Sequence, residues 1–181
     1  AVQHYDWFDE FNHQEEDRWH RTLKAAMNRR LVEQVASRHR ETPLDLVFTY
    51  LSGELIGPEA MQKLAAVGVP MVNLALNDKE QFVGRIRNGL AMGARDICRY
   101  FDLSWTSTED ALKKYCVEGA TPVYLPEGAN PDAHRPVDCA KTIDVSFVGQ
   151  CYGNRPEVIG KLIEKGIRVE AYGHGWPNGP L

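Results

Sequence analysis

The segment from Asp144 to Trp176 constrains the fold of this chain more than any other. Its sequence, DVSFVGQCYGNRPEVIGKLIEKGIRVEAYGHGW, contains a strand-like run, a glycine turn, a helical pattern and a second strand-like run. Pro156 opens the helical pattern and Gly166 closes it, at the helix ends that these residues favour. The pattern predicts a βαβ unit. It follows the segment 126–142, PEGANPDAHRPVDCAKT, whose Pro, Asn and Asp content is typical of a linker.

The residues before this linker alternate between strand-like and helix-like patterns. Apolar side chains recur at helical spacing from Leu23 to Ala36, and further helices are predicted from Pro58 to Val67 and from Thr108 to Gly119. The predicted strands are VQHYDWF, LDLVFTYL, VPMVNLAL, DLSWTS and PVYL. Between Asn77 and Tyr100 the glycines interrupt a weak helical pattern.

This alternation predicts an α/β fold with a doubly wound parallel sheet and helices on both faces. The nearly continuous apolar run LDLVFTYL is typical of a strand that is covered on both sides. We therefore expect one domain over residues 1–137, with the linker and the opening βαβ of a second domain over residues 138–181. In such sheets ligands bind beyond the carboxyl ends of the strands.

Composition excludes several classes of protein. The chain has 181 residues, 43% of them hydrophobic and 25% charged, which is typical of a globular protein and too short for two complete α/β domains. The net charge is −4 with dispersed basic residues, so no nucleic-acid partner is expected. Because no apolar run approaches about 20 residues and the start lacks a signal peptide, we expect no transmembrane segment and a cytoplasmic location. The four cysteines are widely spaced, which favours free thiols over a zinc site.

Five blocks of sequence, taken in order, resemble glycosyltransferases of the GT-B fold, in particular the group related to spore-maturation glycosyltransferases. The blocks are LDLVFTYLSGELIGPEAM, GVPMVNLALND, DLSWTSTEDALKKY, GATPVYLPEGANPDAHRP and DVSFVGQCYGNRPEVIGKL, and they cover most of the chain. The resemblance implies two Rossmann-like domains that face each other across a cleft. It also implies a nucleotide-sugar as donor substrate, with no bound cofactor or metal. The sugar, the acceptor and the oligomeric state stay open.

On this resemblance the chain is expected to be an incomplete glycosyltransferase. Residues 1–137 would be most of the acceptor-side domain, and residues 138–181 would be the linker and the opening of the nucleotide-sugar domain. The isolated chain is then expected to be inactive, since the absent segments would hold most contacts to the base and the ribose.

The turn from Gly149 to Asn154 is the first candidate for donor binding. Its small residues, Gly149 and Gly153 beside Tyr152, let backbone N–H groups approach a phosphate at a helix N-terminus, and Arg155 could add a charge-assisted contact. The turn matches neither G-x-G-x-x-G nor a Walker A loop. A plain strand-to-helix turn with a solvated Arg155 is the alternative.

The loop after the second strand of the βαβ unit is the other donor-side candidate. Gly173 could bring the backbone close to a ligand, while His174 and Trp176 could contact the donor. Alternatively, this is a flexible loop in which Trp176 serves packing.

Two acids follow predicted strands and are the candidate catalytic bases. Asp78 follows NLALN and Glu54 follows YLSG, and a carboxylate at the carboxyl end of a strand suits proton removal from an acceptor hydroxyl. Each could instead cap a helix or lie in a solvated loop. His13 and His20, near Glu15, Glu16 and Asp17, lack metal-site spacing.

A non-catalytic Rossmann-like module that binds a small ligand or a protein is the alternative function. The two hypotheses differ over the helix predicted after Asn154. A transferase fragment would leave its apolar residues Val158, Ile159, Leu162 and Ile163 exposed, whereas a compact module would bury them against residues 1–137.

Overall fold

The computed structural model describes residues 1–8, 10–13 and 15–177. Contacts divide the chain into two compact units, Ala1–Gly128 and Ala129–Leu181. This division lies within the predicted linker, ahead of the predicted boundary at Val137. The first unit contains α1 (Glu16–Arg18), α2 (Lys24–Glu41), β1 (Val47–Thr49), α3 (Pro58–Ala65), β2 (Met71–Ala75), α4 (Asp78–Gln81), β3 (Ile86–Arg87), β4 (Leu90–Ala91), β5 (Leu103–Thr106), α5 (Leu112–Val117) and β6 (Pro122–Tyr124). The second unit contains β7 (Val145–Val148), α6 (Arg155–Glu164) and β8 (Val169–Tyr172).

Four strands of the first unit form a parallel sheet in the order β1-β2-β5-β6. Phe48 of β1 is level with Val72 of β2, and Trp105 of β5 is level with Val123 of β6. The predicted α/β class and parallel sheet are confirmed. Because the order follows the chain and parallel crossovers are right-handed, the connecting helices lie on one face of the sheet.

The strand residues on the helix-covered face of the sheet are more deeply buried than those on the opposite face. On the covered face Asn73, Ser104 and Thr106 are buried. A hydrophobic core there joins β2 to the helices and turns around it, and it consists of Ile56, Met61, Leu64, Met71, Ile97 and Phe101. On the opposite face Phe48 and Tyr50 are 54% and 57% exposed. The described residues therefore do not form the expected two-sided arrangement, because the strand order never reverses.

Two local predictions in the first unit differ from the structure. Residues 1–8 form no strand; instead Trp7 stacks on Phe8 with ring centroids 4.3 Å apart and lies 5.7 Å from the buried Trp19. Packing of these rings replaces strand pairing. The region 77–100 contains the short helix α4 followed by the β3–β4 hairpin, rather than one longer helix, and Asn88 and Gly89 take φ values of 51° and 78° at the hairpin turn. Asn-Gly suits such a turn.

The second unit forms the predicted βαβ arrangement. β7 and β8 pair in parallel from Val145↔Val169 to Val148↔Tyr172. Ile159 of α6 is buried with Val169 and Ala171, so the helix packs on its own two strands. Ile159 is therefore not the exposed residue that the fragment hypothesis expected. Val158 and Ile163 are 50% and 38% exposed, whereas Leu162 is partly buried against the same cluster as Ile159.

The cysteines and the hydrophobicity of the helices can be described from the same structure. All four cysteines are free, with Cys98 buried and Cys116 and Cys139 exposed. Among the described residues, none of the helices combines the length and the hydrophobicity of a membrane-spanning segment.

Candidate functional site

Two loops lie side by side at the carboxyl ends of β7 and β8. We call residues 149–154 and 173–176 the edge loops. The N–H of Gly149 donates to the carbonyl of Tyr172 at 2.8 Å, and the N–H of Cys151 donates to the carbonyl of His174 at 2.9 Å. The hydrogen bonding of the parallel strands thus continues into the loops. The two predicted donor-side segments are brought together at one edge of the second unit.

The contact between the edge loops is too close for side chains. A Cβ atom on Gly173 would lie 2.3 Å from the carbonyl oxygen of Gly149, and Gly173 has a φ of 131°, so only glycine fits. The indole N–H of Trp176 donates to the same carbonyl at 2.9 Å, while its ring packs on Phe147 at 5.8 Å. Trp176 therefore fixes the shape of the edge loops rather than facing outward, whereas His174 is exposed.

Arg155, the first residue of α6, is the positive charge at the edge loops. Its guanidinium lies 4.1 Å from the centroid of the Tyr152 ring and donates from Nη1 to the carbonyl of Gln150 at 3.0 Å. Within the described residues, the Asn154 side chain makes no capping hydrogen bond to α6. The first N–H groups of a helix have no partner inside the helix. Pro156 has no N–H and the N–H of Arg155 donates to the carbonyl of Tyr152 at 3.3 Å, which leaves the N–H of Glu157 and the guanidinium of Arg155 to face an anionic ligand at this end of α6.

Glu54 lies beyond the carboxyl end of β1 in the first unit. Its N–H donates to the carbonyl of Met92 at 2.8 Å, and its own carbonyl accepts from the indole N–H of Trp19 at 2.9 Å. Its Oε1 is 2.8 Å from Nε2 of the buried His20, although the two atoms are not aligned as a hydrogen bond. The side chain of Glu54 stays 30% exposed. The backbone of Glu54 is therefore held by hydrogen bonds, and its carboxylate stays partly accessible to a ligand.

Lys24 is a cation beside Glu54. Its ammonium group donates to the carbonyl of Gly53. Burial lowers the pKa of Lys24, and the nearby charge of Glu54 opposes this shift. The Lys24 ammonium group thus places positive charge next to the Glu54 carboxylate.

Asp78 lies in a different cluster, inside the first unit. It is 3% exposed, and its Oδ2 accepts a hydrogen bond of 2.9 Å from the hydroxyl of Tyr115 on α5. Burial, followed by the charge and hydrogen bond of Asp78, raises the pKa of Tyr115 well above its usual value. Of the two predicted acids, Asp78 faces the interior and Glu54 the surface.

Known proteins do not identify the chain. No protein-family model, no curated protein and no solved structure matches it. No group of three or more His, Cys, Asp or Glu side chains in the described ranges is placed to hold a metal ion.

The sequence patterns did not predict the contact between His20 and Glu54, because these residues are 34 positions apart in the sequence. A π-helical turn, Trp19–Leu23, precedes α2 and shifts the helical periodicity, so the faces of Trp19 and His20 do not follow from α-helical spacing. The carbonyl of Met92, just after the β3–β4 hairpin, accepts the N–H of Glu54. The turn of this hairpin was predictable from the pair Asn88-Gly89.

Proposed function

We propose that this chain belongs to a GT-B glycosyltransferase that moves a sugar from a nucleotide-sugar to an acceptor, and that its edge loops bind the donor diphosphate. The observation that carries the proposal is the placement of Arg155 at the amino end of α6, beside both edge loops. The positive end of the helix dipole and a guanidinium meet there, and this combination favours a phosphate group.

The charge around the edge loops supports this assignment. Neither edge loop, GQCYGN or GHGW, contains an acidic residue. The nearest acid in α6, Glu157, pairs with Lys161 at 2.5 Å. A diphosphate would therefore meet the positive end of α6 without a competing carboxylate in the loops.

Glu54 is the better of the two candidate bases for the acceptor hydroxyl. A general base must come within hydrogen-bond reach of the proton that it removes. Glu54 remains partly exposed at the carboxyl edge of the sheet, with His20 beside it. Asp78 is enclosed and bonded to Tyr115, so we assign it to holding α4 and α5 together.

The binding test titrates the full chain with UDP, GDP, dTDP and ADP, followed by amide NMR. At least one nucleoside diphosphate should shift the signals of the edge loops. Replacing Arg155 with Met should weaken that binding about tenfold or more, since a hydrogen bond to a charged group contributes about 1.5–3 kcal/mol. A nucleotide-sugar with the same base should then shift the same signals.

Arg168→Met is the matched control. Arg168 precedes β8, at the opposite end of that strand from the edge loops, and pairs with Glu170 at 3.2 Å. Its replacement should leave nucleotide binding unchanged. The proposal is wrong if none of the four nucleotides shifts the edge-loop signals, or if both arginine variants weaken binding equally.

A further inference from the structure

A pocket of about 210 Å³ lies at the amino end of the four-stranded sheet. Its walls come from the carboxyl end of α3 and from the residues that lead into β2 and β5, and they include Ala65, Val69, Pro70, Met71, Tyr100 and Asp102. This is the opposite end of the sheet from the carboxyl edge, where Glu54 lies. A cavity of about 150 Å³ can hold a benzene molecule, so this pocket has room for a small organic ligand.

We propose that this pocket binds a small organic ammonium ion. Asp102 is the one charged side chain among the described residues that line it. The N–H of Asp102 donates to the carbonyl of Met71 at 3.0 Å, and its Oδ2 accepts from the N–H of Met71 at 2.8 Å, so the carboxylate is held in place. Within the described part of the chain no donor bonds to its Oδ1. That oxygen can therefore pair with a cation.

The carboxyl end of α3 adds to the negative potential of the pocket. Ala65 is the last residue of this helix, and the carboxyl end of a helix carries a negative partial charge. Lys63 is the basic residue of the last turn, but its ammonium group pairs with Glu59 at 2.7 Å, one turn back along the helix. The pocket therefore brings a helix end and the Asp102 carboxylate together, and both favour a positive charge.

The apolar and aromatic walls favour an organic cation over a metal ion. Val69 and Met71 are buried, and Tyr100 packs against the hydrophobic core that contains Met71. The face of an aromatic ring attracts an ammonium group, and a hydrocarbon substituent gains free energy by contact with apolar side chains. A hard metal ion needs several oxygen ligands, whereas Asp102 supplies the one carboxylate among the described residues of the pocket.

Titration of the full chain with benzylamine and cyclohexylamine, followed by amide NMR, tests the proposal. Both ammonium ions should shift the signals of Gly68, Met71 and Asp102 at millimolar concentration. The neutral counterparts, benzyl alcohol and cyclohexanol, have nearly the same shape and should bind about tenfold more weakly, because they cannot form a charged pair. No nucleotide is present, so the outcome is independent of the proposed sugar transfer.

Asp102→Asn should weaken the binding of both amines about tenfold or more, because it removes the charge and keeps an acceptor for the N–H of Met71. Asp110→Asn is the matched control. Asp110 is an exposed acid that follows β5, at the opposite end of that strand from the pocket, so its replacement should leave binding unchanged.

Tyr100→Leu tests the same pocket should Asp102→Asn fail to fold, as checked by circular dichroism. It keeps an apolar side chain at the wall, removes the ring and should weaken amine binding about threefold. Absence of any shift at the pocket signals overturns the proposal, as does equal binding of the amines and the alcohols. An Asp110→Asn variant that loses binding as fully as Asp102→Asn also overturns it.

Discussion

Replacing Gly93 with Ala should lower the free energy of unfolding of the first unit by about 3 kcal/mol, the largest effect that we expect from any single methyl group. A Cβ atom there would lie 1.9 Å from the carbonyl oxygen of Gln81 and 2.4 Å from that of Phe82. Both contacts are to backbone, which cannot rotate away as a side chain does. The end of α4 and the β3–β4 hairpin would have to separate.

Urea denaturation followed by tryptophan fluorescence measures this loss, since three of the four tryptophans lie in the first unit. Gly128→Ala is the control, because a Cβ atom on Gly128 meets nothing within 4 Å. It should change stability by less than about 0.5 kcal/mol. Equal urea midpoints for Gly93→Ala and the wild type would contradict the close approach.

Replacing Tyr115 with Phe should cost about 2–3 kcal/mol, because it leaves a buried carboxylate without its donor. The Oδ1 atom of Asp78 already lacks a hydrogen-bond partner among the described residues. Removing the Tyr115 hydroxyl would leave Oδ2 without one as well. Tyr172→Phe is the control, since its hydroxyl bonds Glu170 at the surface, and it should leave stability unchanged.

The cost of Tyr115→Phe should depend on pH in one direction. The pKa of Tyr115 is raised in the folded state, chiefly by burial, whereas the unfolded chain titrates near the ordinary tyrosine pKa of about 10. The stabilisation that Tyr115 provides is therefore complete below about pH 10 and is lost as pH rises toward the folded pKa. Unfolding curves of wild type and variant should differ most near neutral pH and converge above pH 10. A difference that grows with alkalinity would refute this linkage.

Sequence patterns predicted the local elements better than their surroundings. The strands at β2, β5, β6, β7 and β8 were predicted correctly because each combines β-forming residues with a flanking Gly, Pro or Asp. The prediction that β1 is covered on both faces was wrong, because an apolar run such as LDLVFTYL is compatible with a strand that is buried on one face or on both. Strand order decides that question, and it depends on contacts between distant residues.

The candidate sites also differ in how much of their surroundings the sequence could predict. The edge loops were predictable because their glycines and Arg155 are adjacent to a strand and a helix that the sequence marks clearly. The environments of Glu54 and Asp78 depend on His20 and Tyr115, which are brought to them by tertiary packing. Spacing along the chain therefore identified both acids without revealing that one is enclosed and the other exposed.

The chain-ordered sheet also bears on how the first unit assembles. In the four-stranded sheet β2, β5 and β6 each pair with the sheet strand that precedes them along the chain, so every pairing closes only the loop between two neighbours. Loop-closure entropy grows with the length that must be brought together, and contacts of low sequence separation favour rapid folding. As the chain leaves the ribosome, β2, β5 and β6 each emerge after the strand that they join. The sheet can therefore grow strand by strand in the order of synthesis.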